Sequence, residues 1–135
     1  MYKRQASLCV FENTAVTNQP LEAAIAIRDK ITEWQHRKNQ RNEQTLQVTI
    51  GIASGQVILG HIGSEKRKDF TCIGNAVNLA ARLGCVKLGD LVHTQVLIAE
   101  EVIKEFPAYG RYSLTKHSDV SLKGKQRKQV FYEVD

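Results

Sequence analysis

Three polar residues stand where an apolar framework has no use for them: Thr71, Asn78 and Arg82, within the run DFTCIGNAVNLAARL at residues 69–83. The run reads as a strand that turns at Gly74-Asn75 and continues as a helix. At about 100° per residue, Ala76, Ala80 and Leu83 share one side of that helix and suit packing on a sheet. Asn78 and Arg82, four apart, project together from the opposite side. An amide and a fixed guanidinium charge at one place can hold a sugar oxygen and a phosphate. A solvent-facing polar stripe is the plainer account of the same spacing. The strand adds weight to the chemical reading. Successive strand side chains alternate, so Thr71 and Ile73 are expected to face away from Phe70 and Cys72. The Thr71 hydroxyl then lies near the strand end that delivers the polar helix, and Gly74 permits the sharp turn between them.

The rest of the chain reads as a scaffold for this corner. ASLCVF (6–11) is a short apolar run of strand type, followed by a polar connection, ENTAVTNQP (12–20). Thr17 or Asn18 can cap a helix, and Pro20 fits its first turn. Leu21, Ala24, Ile27, Ile31 and Trp34 recur at spacings of three and four. They predict a core-facing amphipathic helix from about Gln19 to Lys38, with RKNQRNEQT (37–45) as a solvated loop. Leu46, Val48, Ile50 and Ile52 then alternate with Gln47, Thr49 and Gly51, as in a half-buried strand. Ser54-Gly55 reads as a hairpin turn, with QVILG (56–60) as the returning partner. HIGSEKRK (61–68) reads as a loop, DFTCI (69–73) as a third strand and AVNLAARLGCVKL (76–88) as a helix of good formers. QVLIAEEVIKEF (95–106) predicts a short strand and a short helix stopped by Pro107. SDVSLKGKQRKQVFYEV (118–134) predicts a closing hairpin about Lys123-Gly124. Hairpins interleaved with helices make an α+β domain, its helices packed mainly on one face of an antiparallel-rich sheet.

A chain of 135 residues suits one domain. No apolar stretch approaches the roughly 18 residues of a membrane span, and no signal-peptide pattern opens the chain. A cytoplasmic domain is expected, any membrane attachment belonging to other regions of a longer parent. Cys9, Cys72 and Cys85 have neither paired nor metal-ligand spacing and read as reduced, packed thiols. The net charge of +5 comes from three scattered groups placed in loops: Arg37, Lys38 and Arg41; Lys66, Arg67 and Lys68; and Lys123, Lys125, Arg127 and Lys128. No aromatic residues interleave with them as stacking platforms, so nucleic acid is not the expected partner. The same field would serve a polyanion such as a nucleotide. Met1–Gln5 match the translation of a sequencing-library transposon adapter end (GTG TAT AAG AGA CAG). They are expected to be adapter-derived or otherwise non-native, and the fold is read from residues 6–135.

Residues 48–83, VTIGIASGQVILGHIGSEKRKDFTCIGNAVNLAARL, resemble the class III adenylate/guanylate cyclase catalytic domain. That family carries a G-I-x-x-G-x-V-x-x-G-x-x-G hairpin, an arginine-containing loop and then Y/F-T/D-x-x-G-D/N-x-V-N-x-A-x-R. Gly51, Ile52, Gly55, Val57, Gly60, Gly63, Phe70, Thr71, Gly74, Asn75, Val77, Asn78, Ala80 and Arg82 stand in register with it. VSLKGKQRKQVFYEV (120–134) is similar to the family's closing hairpin, and the resemblance spans residues 6–135. It implies a ferredoxin-like cyclase fold truncated on its N-terminal side, residues 6–135 being the C-terminal part of a catalytic domain.

The reaction this implies is attack of the ribose 3′-hydroxyl of ATP on its own α-phosphate, giving 3′,5′-cyclic AMP and pyrophosphate for intracellular signalling. Asn78 matches the family asparagine that orients the ribose. Arg82 matches the arginine that neutralises charge growing on the α-phosphate. Thr71 matches the purine-reading position, where guanylate cyclases typically place Cys. Cys72 is one residue later and points to the opposite face, so adenine is the preferred base and a guanylate cyclase the alternative. The family also uses two Mg2+ or Mn2+ ions, held by aspartates in an F-x-D-I-x-x-F-T segment and a K-x-x-G-D motif. Neither motif is in this sequence, nor is the adenine-recognising lysine, and ASLCVF fits the strand just after the second aspartate. Glu12, Glu22, Asp29 and Glu43 are not at matching positions and read as surface charges. The resemblance thus implies an active parent that works as a head-to-tail homodimer or with another cyclase domain, metal ligands coming from one chain and Asn/Arg from the other. These 135 residues alone are expected to be inactive. Two non-enzyme readings stand beside it. One is a degenerate cyclase-like domain that binds nucleotide or a partner cyclase as a regulator. The other is a basic nucleic-acid module, disfavoured by a hairpin face without aromatic platforms.

Overall fold

Gln19–Gln40 form one continuous helix, α1, in a computed structural model that describes residues 6–12, 18–88, 94–120 and 129–135. Asn18 occupies the N-cap, its side chain donating to Glu22 rather than to the backbone, and Pro20 sits in the first turn. The helix buries Leu21, Ala24 and Gln35, with Ile25 packed behind them. The predicted face is therefore rotated, and Ile27 is 45% exposed. The stretch Ala23–Ile27 is apolar all round, so hydrophobicity cannot choose the side, and tertiary contacts do. Gln35 donates to the Leu46 carbonyl, and Arg28 reaches the carbonyls of Val134 and Asp135 at 3.2 Å each. The C-terminal end runs past Lys38. Asn42, at φ 54°, stands in the left-handed region that more often calls for Gly, and the Asn42 and Glu43 N–H groups donate back to Asn39 and Lys38. Asn39 and Gln40, expected beyond the helix, are thus helical.

The following elements are β1 (Thr49–Ile52), β2 (Ile58–Ser64), β3 (Arg67–Ile73), α2 (Asn75–Leu83), β4 (Gln95–Ala99), α3 (Glu100–Glu105), a 3-10 turn at Pro107–Arg111, β5 (Leu114–Val120) and β6 (Gln129–Val134). Four strands form a mixed sheet in the order β1-β4-β6-β5, with β1 and β4 paired parallel and the other neighbours antiparallel. β2 and β3 form a separate antiparallel ribbon. Helices α1 and α2 both pack on β1 and β4. The α+β class, the strand–helix pair before Pro107 and the closing β5–β6 hairpin are as predicted. The Lys123-Gly124 turn and the third basic group lie outside the described residues, as do Met1–Gln5 and Thr17.

Three expectations are overturned. The hairpin about Ser54-Gly55 does not form. β1 lies beside fully buried β4, in register from Thr49↔Gln95 to Ile52↔Ile98, while residues 56–57 run against the start of α2. β2 pairs instead with β3, and Glu65-Lys66 makes a tight turn, so most of HIGSEKRK is strand. Second, Ala6–Phe11 forms no strand. A strand must satisfy its backbone groups on a neighbour, none among the described residues pairs with it, and Leu8 is 55% exposed. Third, Cys9 and Cys85 are exposed rather than packed, and Cys72 is half-buried; all three are free thiols. Cys85 is exposed because α2 stops two residues earlier, at Leu83, where Gly84 caps it. No described helix is long and apolar enough to cross a membrane.

The core gathers Leu21, Leu83, Val96, Leu97, Ile98, Val102, Tyr109 and Phe131, all within 2% of complete burial. Full burial of each aliphatic or phenyl side chain contributes about 1.5–3 kcal/mol. Tyr109 brings a titratable group into it. Burial pushes its phenol above the usual value, a backbone hydrogen bond at Leu21 opposes this in part, and nearby Tyr112 adds to the rise. A raised folded pKa means that the neutral phenol's contribution is complete below about pH 10 and fades as pH climbs through the folded value. The thermal midpoint is therefore expected to fall in alkaline solution, and to fall less steeply in Tyr109→Phe. Parallel profiles for the two proteins would remove Tyr109 as the cause.

Candidate active site

The site begins with two glycines that let backbone meet backbone. Gly51, in β1, has no Cβ, and one built there would stand 2.3 Å from the Ala80 carbonyl oxygen, 2.8 Å from Leu83 Cβ and 2.9 Å from the Gly84 nitrogen. Helix α2 therefore rests directly on the β1 backbone. Gly74 is the second point: a Cβ there would lie 2.7 Å from the Gln56 carbonyl oxygen and 3.0 Å from a Val57 methyl. The strand-to-helix turn is thus pinned against the chain leaving β1, and the Asn78 N–H closes the first helical turn on the Gly74 carbonyl at 3.3 Å. The face of β1 read as solvated, Gln47–Thr49–Gly51, is in fact the seat of α2 at Gly51. Thr49 accepts from the Gln95 amide at 3.1 Å, and that same amide donates to the Val86 carbonyl at 3.3 Å. The family resemblance includes Gly51 but gives it no role. The signal was a glycine on the polar side of an alternating strand, which marks a close backbone approach.

Buried Leu79 and Leu83 hold α2 to the core, Leu79 joining the side predicted from Ala76, Ala80 and Leu83. Asn78 is exposed and Arg82 half-buried. Among the described residues, no ion pair and no side-chain hydrogen bond engages either. Arg82 lies in the last turn of α2, where a cation gains about 0.3–1 kcal/mol from the helix dipole. That term accounts for a basic residue there but gives no reason for the asparagine one turn earlier. Thr71 is half-buried two residues before the end of β3, opposite Gly60 in the ribbon. Strand β3 passes through Gly74 straight into α2, so all three polar residues belong to one continuous corner.

The carboxylates do not converge. Glu22 accepts from Asn18 and from the Tyr112 hydroxyl, Asp29 lies 3.6 Å from Arg28, and Glu43 pairs with Lys38. No group of three His, Cys, Asp or Glu side chains among the described residues could hold a metal ion. The described residues do not fit a divalent-metal centre.

The sequence profile of the "Adenylate and Guanylate cyclase catalytic domain" matches residues 6–134. An adenylate cyclase of Anabaena cylindrica is 30% identical over 98% of this chain, which spans 27% of that protein's length. The fold is shared with the guanylyl cyclase Cya2, at a TM-score of 0.67 and 26% identity, over 90% of this chain and 60% of that one. It is shared too with the adenylyl cyclase CyaB from P. aeruginosa, at a TM-score of 0.64 and 23% identity, over 85% of this chain and 56% of that one. With the profile running across nearly its whole length and the architecture reproduced in solved relatives, this chain belongs to the adenylate and guanylate cyclase catalytic domain family.

Proposed function

We propose that residues 6–135 supply the ribose- and phosphate-binding half of a nucleotide cyclase that converts ATP to 3′,5′-cyclic AMP and pyrophosphate in the cytoplasm. The observation that carries this reading is the placement of Asn78 and Arg82 together on the outward side of a helix seated on Gly51, with neither side chain engaged by another among the described residues. The Asn78 amide holds the ribose so that its 3′-oxygen faces the α-phosphorus, which removes much of the orientational entropy from the barrier. The Arg82 guanidinium takes the non-bridging oxygens of the α-phosphate in a two-pronged contact. As the 3′-oxygen–phosphorus bond forms and the bond to pyrophosphate breaks, charge grows on those oxygens, and Arg82 stabilises it most at that point. Thr71 is the base-reading group. Its hydroxyl can both donate and accept, and its place on β3, with Cys72 on the opposite face, favours adenine over guanine.

Two divalent ions are implied by the family, but no set of side chains among the described residues fits them. The metal-binding carboxylates belong to a second cyclase domain, which meets this one head to tail. Alone, the 135-residue chain is expected to form no cyclic AMP from ATP with Mn2+ present. Mixed with a family cyclase domain that keeps its metal-binding aspartates but has its own asparagine and arginine replaced by Ala, it is expected to restore activity, with ATP turned over faster than GTP. Cyclic AMP from the chain alone, or a mixture that stays silent, would overturn the shared-site reading. Faster turnover of GTP would replace adenine with guanine.

A further inference from the structure

At the C-terminal end of α1, Trp34, Arg37, Lys38 and Arg41 line a concavity of about 360 Å3. Spacings of three, four and seven place all four on one face of the helix. That face is turned away from the side that buries Leu21, Ala24 and Gln35. We propose that this concavity is a second ligand site, distinct from the Asn78–Arg82 pair, that takes one nucleotide-class molecule. Its planar base lies against Trp34 and its phosphate on Arg37 and Arg41.

The charge distribution picks out those two arginines. Lys38 is already committed: it pairs with Glu43, and its Nζ stands 5.8 Å from the centroid of the Trp34 ring. That contact holds the indole in place. Arg37 and Arg41 are exposed and have no ion-pair partner among the described residues. Planar guanidinium groups are suited to phosphate oxygens. The helix dipole at this end is negative but amounts to about half a charge, which two guanidinium groups outweigh. It favours basic residues in the last turn without requiring an indole left half-exposed among them.

The aromatic residue sets the size of the ligand. Single-stranded nucleic acid is held on a succession of stacking platforms along a basic groove. Here one indole, belonging to the only tryptophan in the sequence, lines one half-open concavity, so one base is accommodated. An inorganic anion would use the arginines and leave Trp34 without a part.

The single tryptophan also makes the site its own reporter. Titration of ATP into the full chain, in Mg2+-free buffer with free tryptophan as the optical control, is expected to quench Trp34 emission saturably. Pyrophosphate is expected to bind more weakly than ATP. The double variant Arg37→Gln/Arg41→Gln, with its fold checked by circular dichroism, is expected to weaken ATP binding by about tenfold or more. Arg82→Ala should leave the quench unchanged. Four results would overturn the proposal: no saturable quench, pyrophosphate binding as tightly as ATP, single-stranded RNA binding more tightly at equal nucleotide concentration, or loss of the signal in Arg82→Ala. The last would assign the signal to the α2 corner and leave the cyclase reading standing.

Discussion

Arg82→Ala is expected to lower the turnover of ATP by about 10²–10³-fold, the loss that follows removal of one preorganised group aimed at developing charge. The place to measure it is the mixed assembly, in which this chain contributes the asparagine and arginine and a metal-competent domain contributes the aspartates. If Arg82 acts mainly on charge that appears in the transition state, kcat falls while KM for ATP changes little. A guanidinium that merely attracted the triphosphate would give the reverse pattern, a raised KM at constant kcat. Arg82→Lys separates charge from geometry: an ammonium keeps the charge but loses the planar fork, and only partial recovery is expected. Asn78→Ala should lower kcat through lost orientation of the ribose, and the double variant should lose less than the two single effects combined, because both groups serve one transition state. The protein itself should be little disturbed, since Arg82 makes no described ion pair or side-chain hydrogen bond. An unchanged kcat in folded Arg82→Ala would remove the residue from the chemistry.

Much of the corner was legible because its signals are local. Strand alternation through Phe70–Ile73, the Gly74 turn and the spacing of Asn78 and Arg82 on a helix of good formers all act within 15 residues. The structure places β3, the turn and α2 on those residues, but β3 begins two residues earlier, at Arg67, and α2 ends at Leu83 instead of running on to Leu88. What stayed illegible is non-local. Alternation at Val48–Ile52 identifies a strand but carries no information about its neighbour, and the neighbour of β1 is β4, some 45 residues later. Ser54-Gly55 has sound local hairpin chemistry, yet the chain there turns toward the start of α2, so tertiary packing outweighs turn propensity. The rotation of α1 was undetermined because Ala23–Ile27 offers an apolar surface in every direction. Trp34 was assigned to the core by its spacing, and only the three-dimensional placement shows it half-exposed beside Arg37, Lys38 and Arg41. The strand–turn–helix corner that carries Thr71, Asn78 and Arg82 could thus be read from the chain, whereas the surface that seats it could not.

That positioning surface gives the second large effect. Gly51→Ala is expected to cost about 1–3 kcal/mol, the range for overpacking a tight interior, lowering the thermal midpoint by about 3–5 °C per kcal/mol in a chain of this size. The reason is that the new methyl has no side-chain end to push aside. Its nearest neighbours would be the Ala80 carbonyl oxygen at 2.3 Å, the Leu83 Cβ at 2.8 Å and the Gly84 nitrogen at 2.9 Å, none of them the free end of a side chain, so the whole of α2 must shift. Asn78 and Arg82 ride on that helix, and a displacement near 1 Å can cost a reaction of this kind about 10²-fold. Activity in the mixed assembly should therefore fall further than the loss of folded protein explains, at temperatures where the variant remains fully folded. Gly60→Ala is the matched control, because a Cβ there meets nothing within 4 Å, and it should leave the midpoint unchanged or slightly raised through the stiffer unfolded chain. Gly51→Val should be worse than Gly51→Ala on both measures. Equal midpoints for the Gly51 and Gly60 variants would mean that α2 does not rest on Gly51. A lowered midpoint with full kcat in the folded Gly51→Ala protein would mean that the seat stabilises the fold without setting the positions of Asn78 and Arg82.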